Sequence, residues 1–339
     1  MNEHHQSIRA AKEKLGDELV ILAHHYQRAD VVSFGDFKGD SYVLAQKAAS
    51  CDAQKIVFCG VHFMAESARI LARPEQQVFM PDTRAGCPMA DMADADDARV
   101  ALERIREVAG DKTVVPITYI NSTAEVKALV GEHGGIVCTS SNAPKAFEWA
   151  RSRGEVIFFL PDEFLGRNTA RRMSARSMVL WNPYENNGGL TDQQLHGADV
   201  VLWRGYCHVH TYFNPPMIEA QRARHPDCQI VVHPECTPEV VDAADADGST
   251  AFIVQFVDKA GPGSTVVVGT EVNLVLRLAK EYPDRTVLPL DHSVCPNMYR
   301  TNVEKLARLL DGFDPALEIT VDEEVGANAK LALTRMLEL

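Results

Sequence analysis

Three of the eight cysteines in this 339-residue chain stand in similar places, at positions where thiolates could hold a metal. Cys87, Cys207 and Cys295 each follow a predicted strand, in a loop that contains glycine or proline. Three such thiolates could bind zinc, with His208 or His210 as a fourth ligand. They could instead bind an iron–sulfur cluster, in which one iron would keep an open position. The spacing alone leaves both metals open.

The remaining cysteines are expected to be packing residues or to have no evident partner. They are Cys51, Cys59, Cys138, Cys228 and Cys236. The chain contains no Cys-x-x-Cys pair. The sequence has neither a membrane-length apolar run nor a signal-peptide pattern, which favours a cytoplasmic protein. Disulfides are rare in such proteins, and buried thiols there behave as small apolar groups.

Polar side chains follow most of the predicted strands. In open α/β sheets, ligands bind beyond the carboxyl ends of parallel strands, where the following helices present N-termini that favour anions. For a single serine or threonine, helix capping is the simpler explanation. So many polar strand ends on related units instead predict a shared ligand site. The residues at these strand ends are His24, Tyr26, Tyr119, Asn121, Thr139, Ser140, Ser141, His233, Glu235, Gly248, Ser249, Thr250, Thr270 and Glu271.

The elements that must position these residues repeat along the chain. A strand–helix–strand phrase occurs at residues 56–82, 135–162 and 265–291, each time with a further strand ahead of it. Self-similar βα units with β-branched runs predict parallel sheets. We therefore expect three similar α/β/α domains with short parallel sheets. We expect them to be arranged with pseudo-threefold symmetry around an active site at their central junction.

The predicted domain limits follow from the repeat. The first domain covers residues 1–110, the second covers 111–226 and the third covers 227–296. A helical tail at residues 297–339 is expected to pack on the first domain.

Composition excludes several classes of partner. The chain has 34 Lys and Arg against 47 Asp and Glu, a formal charge of −13. Nucleic-acid and anionic membrane surfaces are bound by clustered Lys and Arg, so we expect neither partner. The sequence has no apolar run of about 20 residues and no signal-peptide pattern at its start, which favours a cytoplasmic location. Anionic substrates remain compatible with this charge, because helix N-termini and hydroxyl groups could bind them.

The chain resembles the quinolinate synthase family over nearly its whole length. The matching stretches are ILAHHYQ (21–27), GDS (39–41), VFCGVHFMAESARIL (57–71), PDTRAGCPMAD (81–91), YINSTAEVKA (119–128), CTSSNA (138–143), PDEFLGRN (161–168), RGYCHVH (204–210), VHPEC (232–236) and CPNM (295–298). The resemblance implies a pseudo-threefold assembly of three α/β domains around one [4Fe–4S] cluster. It implies an enzyme of NAD biosynthesis that condenses iminoaspartate (iminosuccinate) with dihydroxyacetone phosphate. The products are quinolinate, phosphate and water.

The same resemblance implies roles for individual residues. Cys87, Cys207 and Cys295 would bind the cluster, one from each domain, and leave one iron open. We expect Tyr26 and Glu235 to act as general acid and base, with His24 and His233 orienting substrate carboxylates or donating hydrogen bonds to them. The substrate-binding residues implied are His24, Tyr26, Ser41, Tyr119, Asn121, Ser140, His233, Glu235, Ser249 and Thr250.

Two other functions stay open at this point. One is a zinc-dependent lyase or hydrolase that uses Cys207, His208 and His210. The other is a three-domain protein that binds a small diacid without catalysis. If the family resemblance holds, the iminoaspartate would come from a functional partner such as L-aspartate oxidase or aspartate dehydrogenase.

Overall fold

The computed structural model describes residues 3–339. Its strands form three separate parallel sheets. The first sheet contains β1 (Leu19–His24), β2 (Phe37–Gly39), β3 (Lys55–Cys59) and β4 (Gln77–Phe79). The second contains β5 (Val114–Tyr119), β6 (Ile136–Cys138), β7 (Val156–Leu160), β8 (Met178–Trp181) and β9 (Val200–Trp203). The third contains β10 (Gln229–Val232), β11 (Ala246–Asp247), β12 (Thr265–Gly269) and β13 (Thr286–Pro289).

All three sheets share one strand order. The first sheet runs β2-β1-β3-β4 and the third runs β11-β10-β12-β13. The second runs β6-β5-β7-β9-β8, in which β8 is an additional strand paired with the outer side of β9. We number the strands of each unit along the chain and set β8 aside as the addition, so that β9 counts as a fourth strand. Every sheet then has its second strand at one edge, followed by its first, third and fourth strands. The prediction of three similar α/β/α units with short parallel sheets is confirmed.

Burial explains why the first strand of each unit is so apolar. Every residue of β1 and of β5 is buried. Parallel sheets are covered by helices on both faces, so their central strands are apolar throughout and do not alternate with polar residues. The two faces of the third sheet carry separate apolar clusters, one around Ile230 and Val232 and the other around Val231 and Val268.

A helix precedes the first strand of every unit. These helices are α1 (Glu3–Leu15), α5 (Ala95–Ala109) and α11 (Pro215–Arg224). Ile8 of α1 packs in the core with Ile21, and Ile218 of α11 packs with Ile230. Each helix thus covers the sheet that follows it. The domain limits at residues 110 and 226 stay a prediction.

The other helices connect the strands or follow the last strand. They are α2 (Ala29–Val32), α3 (Ser41–Ser50), α4 (His62–Leu71), α6 (Ala124–Glu132), α7 (Ala143–Arg151), α8 (Glu163–Arg172), α9 (Asp192–His196), α10 (His208–Thr211), α12 (Pro238–Ala243), α13 (Thr250–Lys259), α14 (Val272–Glu281), α15 (Val303–Gly312) and α16 (Glu323–Leu337). The tail uses two surfaces: α15 packs on α1, whereas α16 packs on α6.

The internal repeat is shifted in the second unit relative to the sequence phrase. The phrase at 56–82 contains β3 and β4, and that at 265–291 contains β12 and β13. These are third and fourth strands. The phrase at 135–162 instead contains β6 and β7, which are second and third strands. The similarity of one strand–helix–strand segment to another does not reveal strand order, because the order depends on contacts between distant segments.

Helix length and polarity bear on the membrane prediction. Within residues 3–339, no helix is both long enough and apolar enough to cross a bilayer.

Candidate active site

Equivalent positions of the three units carry the polar groups of the site. The first strands β1, β5 and β10 end at or next to His24, Tyr119 and His233, respectively. Two residues further along the chain stand Tyr26, Asn121 and Glu235. The sequence presents these as three separate strand ends. The shared topology makes them one set, related by the internal repeat.

The second strands contribute hydroxyl groups. After β2, β6 and β11 come Ser41, Ser140 and Thr250, each close to the start of a helix. The side chain of Asp40 caps α3 by accepting a hydrogen bond from the Val43 amide at 3.0 Å. Its other oxygen accepts a hydrogen bond from the Ser141 hydroxyl at 2.6 Å, which links the first and second units beside the site.

The fourth strands are followed by the cysteines. Cys87 follows β4, Cys207 follows β9 and Cys295 follows β13, so the three thiols occupy equivalent loops. All three line one cavity. The other five cysteines also lie in the described part of the chain, and the cavity lining there does not include them.

This cavity brings together all but one of the catalytic, substrate-binding and cluster-ligand residues that the family resemblance implied. Its polar lining comprises His24, Tyr26, Asp40, Ser41, Tyr119, Asn121, Thr139, Ser140, His210, His233, Glu235 and Thr250, in addition to the three cysteines. Val61, Phe63, Met64, Val209 and Met298 supply apolar wall. Ser249 lies elsewhere: it caps α13 through the Phe252 amide and lines a second cavity with Arg172. Among the other predicted strand-end residues, Ser141 and Gly248 also line that second cavity, whereas Thr270 and Glu271 line neither.

A continuous set of hydrogen bonds crosses the cavity wall. Glu235 accepts one from the Tyr119 hydroxyl at 2.5 Å and contacts His210 Nδ1 at 2.8 Å. The Nε2 atom of His210 lies 3.0 Å from the Thr270 hydroxyl, which lies 2.7 Å from the Tyr26 hydroxyl. The imidazole rings of His210 and His233 stack with centroids 4.3 Å apart.

The carboxyl group of Glu235 is held in its ionised form. Burial by itself raises the pKa of Glu235, but the neighbouring His210 acts in the opposite direction. Hydrogen bonds to Glu235 from His210 and Tyr119 add to this lowering, and the resulting pKa is about 2. An ionised carboxylate in this position can accept a proton.

The phenols and the two strand-end histidines are electrically neutral. Burial, followed by the charge of Glu235, raises the pKa values of Tyr26 and Tyr119 well above their ordinary range. Burial lowers the pKa of His24 and brings that of His233 to about 3. In each histidine, Nδ1 accepts a hydrogen bond from the amide two residues later, at 3.2 Å for His24 and 3.3 Å for His233. The ring proton is therefore on Nε2 in both.

The three thiols share a local environment that fits cluster ligands. Burial raises the pKa of Cys87 to about 12 and also raises the pKa values of Cys207 and Cys295. Backbone N–H groups two or three residues further along oppose this shift at each cysteine. A bound metal deprotonates its thiols, and hydrogen bonds to the sulfurs tune iron–sulfur clusters. A Cβ atom built on Gly86 would meet nothing within 4 Å, so open space borders the Cys87 loop.

The zinc alternative finds less support. Within residues 3–339, one group of three ligand atoms lies mutually within 4.8 Å, and it comprises Cys207, His210 and Glu235. His208, which the zinc prediction also required, is outside this group. Both ring nitrogens of His210 already have hydrogen-bonding partners in Glu235 and Thr270. Cluster thiolates bind different irons, so they need not converge on a single point.

Sequence reasoning did not predict the contacts of three polar residues at the site. It treated His210 only as a zinc ligand, and it named Thr270 as a strand end without giving it a role. It passed over Asp40, although this residue precedes Ser41 at a predicted helix start. The sequence does show that Thr270 follows a predicted strand and that His210 stands three residues after Cys207. Neither feature predicts that the side chains of Thr270 and His210 contact each other.

Fold and site together define an α/β protein of three related units whose shared cavity is lined by thiol, imidazole, phenol and carboxyl groups. A family model described as quinolinate synthetase A protein matches residues 6–338. The quinolinate synthase of Corynebacterium glutamicum is 49% identical over 346 residues, covering 100% of this chain and 88% of that protein. That of Herpetosiphon aurantiacus is 47% identical, covering 98% and 92%, and that of Halobacterium salinarum is 46% identical, covering 98% and 91%. The chain belongs to the quinolinate synthase family.

Proposed function

We propose that the protein condenses iminoaspartate with dihydroxyacetone phosphate to give quinolinate, phosphate and water, as its family membership implies. The observation that carries this proposal is the single cavity that collects one cysteine from each unit together with the ionised Glu235. A dehydrating condensation needs a proton acceptor, proton donors and binding groups for anions. The cavity lining contains all three.

Cys87, Cys207 and Cys295 are the proposed ligands of a [4Fe–4S] cluster with one open iron. Their equivalent loops and shared N–H environment support this assignment. When bound, such a cluster supplies a Lewis acid for the oxygen groups of the substrates.

Glu235 and Tyr26 are the proposed acid–base pair. The Glu235 carboxylate is ionised and so is available to accept a proton from a substrate carbon, although its low pKa makes it a weak base. The Tyr26 phenol can give its proton to a departing hydroxyl group, because burial keeps it protonated. The Tyr119 hydroxyl donates to Glu235 and holds the carboxylate in place.

The remaining polar groups bind and orient the substrates. His24 and His233 offer Nε2–H donors to carboxylate oxygens, a role that their neutral rings can fill at every physiological pH. Asn121 has a buried amide oxygen without a hydrogen-bonding partner among the described residues, and it can accept from a substrate hydroxyl or imine. Ser41, Ser140 and Thr250 supply hydroxyl groups. Thr250 is favoured over Ser249, which lines the other cavity.

The predicted partners follow from the substrates. Iminoaspartate must come from an oxidation of aspartate, and L-aspartate oxidase or aspartate dehydrogenase stays the predicted supplier. The cytoplasmic location and the exclusion of nucleic acid and of membranes also stay predictions.

The decisive experiment is anaerobic incubation of the purified protein with iminoaspartate and dihydroxyacetone phosphate, with quinolinate measured directly. We expect product from protein that contains about four iron and four sulfide per chain. A colourless protein with one bound zinc would instead favour the zinc enzyme. Binding of the substrates without any product would favour the diacid-binding protein.

The ligand set has its own test. Cys87→Ser removes one proposed thiolate, and we expect the visible absorption of the reconstituted cluster to be lost or strongly altered. Cys51→Ser is the control, because Cys51 lies at the end of α3 and away from the cavity. An unchanged spectrum in Cys87→Ser would remove this cysteine from the ligand set.

A further inference from the structure

Lys127 is a fully buried lysine near the cavity, and the proposed chemistry does not use it. It lies on α6, of which seven residues are buried, and it is the only charged one among them. Its ammonium group donates a hydrogen bond to the Ser122 carbonyl. Among residues 3–339, no carboxylate oxygen lies within 4.0 Å of its Nζ atom. A charge removed from water without an ion partner is costly, so packing alone would favour an apolar side chain here.

The ammonium group of Lys127 lies behind one part of the cavity wall. Its Nζ atom is 5.6 Å from the centre of the Phe63 ring, and Phe63 lines the cavity together with Cys87. The preceding residue, His62, donates its backbone N–H to the Ala85 carbonyl at 2.7 Å. This bond ties the start of α4 to the loop that carries Cys87. A cation of the second unit therefore lies beside the wall segment that contains the cysteine of the first.

The negative groups around Lys127 differ in how strongly they can compensate it. Burial lowers the pKa of Lys127 to about 8, and three groups oppose this shift, namely Glu66, Glu125 and Cys87. Glu125 is exposed, so solvent screens its carboxylate, and Glu66 also faces His62 at 3.5 Å. Cys87 is different, because a bound metal deprotonates its thiol outright. A bound cluster therefore adds negative charge close to Lys127.

We propose that Lys127 is the counter-charge of the cluster, and that its buried ammonium group stabilises the negative charge of the Cys87 thiolate and of the cluster bound to it. The proposal rests on the proposed function in one respect, namely that Cys87 is a cluster ligand. A [4Fe–4S] cluster held by three thiolates is an anion, and one-electron reduction makes it more negative. Local charge is one of the factors that set its reduction potential.

The test is an anaerobic redox titration of the reconstituted protein, followed by electron paramagnetic resonance. Lys127→Met keeps an unbranched side chain but removes the charge, so reduction of the cluster should become less favourable. We expect the equilibrium constant for one-electron reduction to fall about tenfold, which makes the potential about 59 mV more negative. Lys127→Arg retains the charge and should keep a potential closer to that of the wild type.

Leu129→Met is the matched control. Leu129 is buried on the same helix, so this substitution changes packing without changing charge. We expect it to keep the wild-type potential. A wild-type potential in Lys127→Met, or an equal shift in Leu129→Met, would overturn the proposal. If Lys127→Met does not accumulate, Lys127→Gln replaces it in the same comparison.

A second measurement follows the loss of iron to a chelator under anaerobic conditions. We expect iron to leave Lys127→Met faster than the wild type, because the anionic cluster has lost a stabilising charge, and to leave Leu129→Met at the wild-type rate. Equal rates in Lys127→Met and the wild type would contradict the proposal. If the potential shifts as expected but the wild type makes no quinolinate, the proposed function alone is refuted. A wild type that binds no iron would refute both.

Discussion

Glu235 is the residue on which most of the proposed chemistry depends. Its two oxygens contact Tyr119 and His210, and the low pKa follows from those partners. Glu235→Gln keeps the shape but cannot accept a proton. We expect an anaerobic quinolinate assay to show kcat lowered by about 10²- to 10⁴-fold, the usual contribution of a general base.

The matched variant is Glu239→Gln, which changes an exposed carboxylate four residues further along, in α12. It should have wild-type kcat, and both variants should keep the visible absorption of the cluster. Turnover close to the wild-type rate in Glu235→Gln would remove Glu235 from catalysis.

Lys127 predicts a pH dependence of stability. Its ammonium group is fully buried on α6, donates to the Ser122 carbonyl and lies 5.6 Å from the centre of the Phe63 ring. Burial lowers the pKa of Lys127 from 10.5 to about 8. Between these pH values the unfolded chain binds more protons than the folded one, so the free energy of unfolding contributed by Lys127 rises with pH. The full change is about 3 kcal/mol.

Urea unfolding at several pH values between 7 and 10.5 tests this. Lys127→Met should remove the rise between pH 8 and 10.5, because the neutral side chain has no proton to lose. Lys145→Met, at an exposed position, should leave the rise intact. Parallel curves for wild type and Lys127→Met would contradict the assignment.

At the scale of elements, the contact between α6 and α16 depends on one glycine. A Cβ atom on Gly131 of α6 would overlap the carbonyl oxygen of Asn328 in α16. Gly131→Ala should therefore push the tail helix away and lower the free energy of unfolding by about 1–3 kcal/mol, as overpacking does. Denaturant unfolding measures this loss.

Gly326→Ala is the matched helical substitution. Its added methyl group would have ordinary contact with Val321, at 3.8 Å. Alanine is the better helix former, so this variant should be unchanged or more stable by up to about 1 kcal/mol. A similar effect of both substitutions would show that backbone propensity, and not the helix contact, decides the result.

Element scale is also where sequence reasoning was partly wrong. The strands and helices were predictable, because burial on both faces and local caps leave a local pattern. The sequence repeat equated the wrong strands in the second unit. It treated β6 and β7, in the segment at 135–162, as that unit's third and fourth strands, although they are its second and third, and it did not recognise β8 as an additional strand. Pairing partners lie up to tens of residues apart, and no local pattern specifies them.

For the whole molecule, a cluster held by all three units should stabilise the folded state. A ligand that binds only the folded protein adds about 3–4 kcal/mol to the free energy of unfolding when present at 100 to 1,000 times its Kd. We expect anaerobic thermal unfolding to show a higher Tm for cluster-loaded than for cluster-free wild type. The Cys87→Ser variant should show no such difference after the same reconstitution.

The acidity of the molecule is compatible with its anionic substrates. The net charge is −13, and the cavity wall itself contains the carboxyl groups of Asp40 and Glu235, but it also offers the neutral imidazoles of His24 and His233, hydroxyl groups and an amide. Binding of small anions depends on these local donors more than on total charge.

The sequence by itself determined the three-unit organisation, the one cysteine per unit and the polar pairs that follow the first strands. These are local features, carried by residue type and by distance from a strand end. Only the tertiary structure decided that Ser249 faces a different cavity from Thr250, that His210 and Thr270 bridge Tyr26 to Glu235, and that α16 packs on α6. Each of these depends on contacts between segments far apart in the chain, and such contacts exist only once strand order and packing are set.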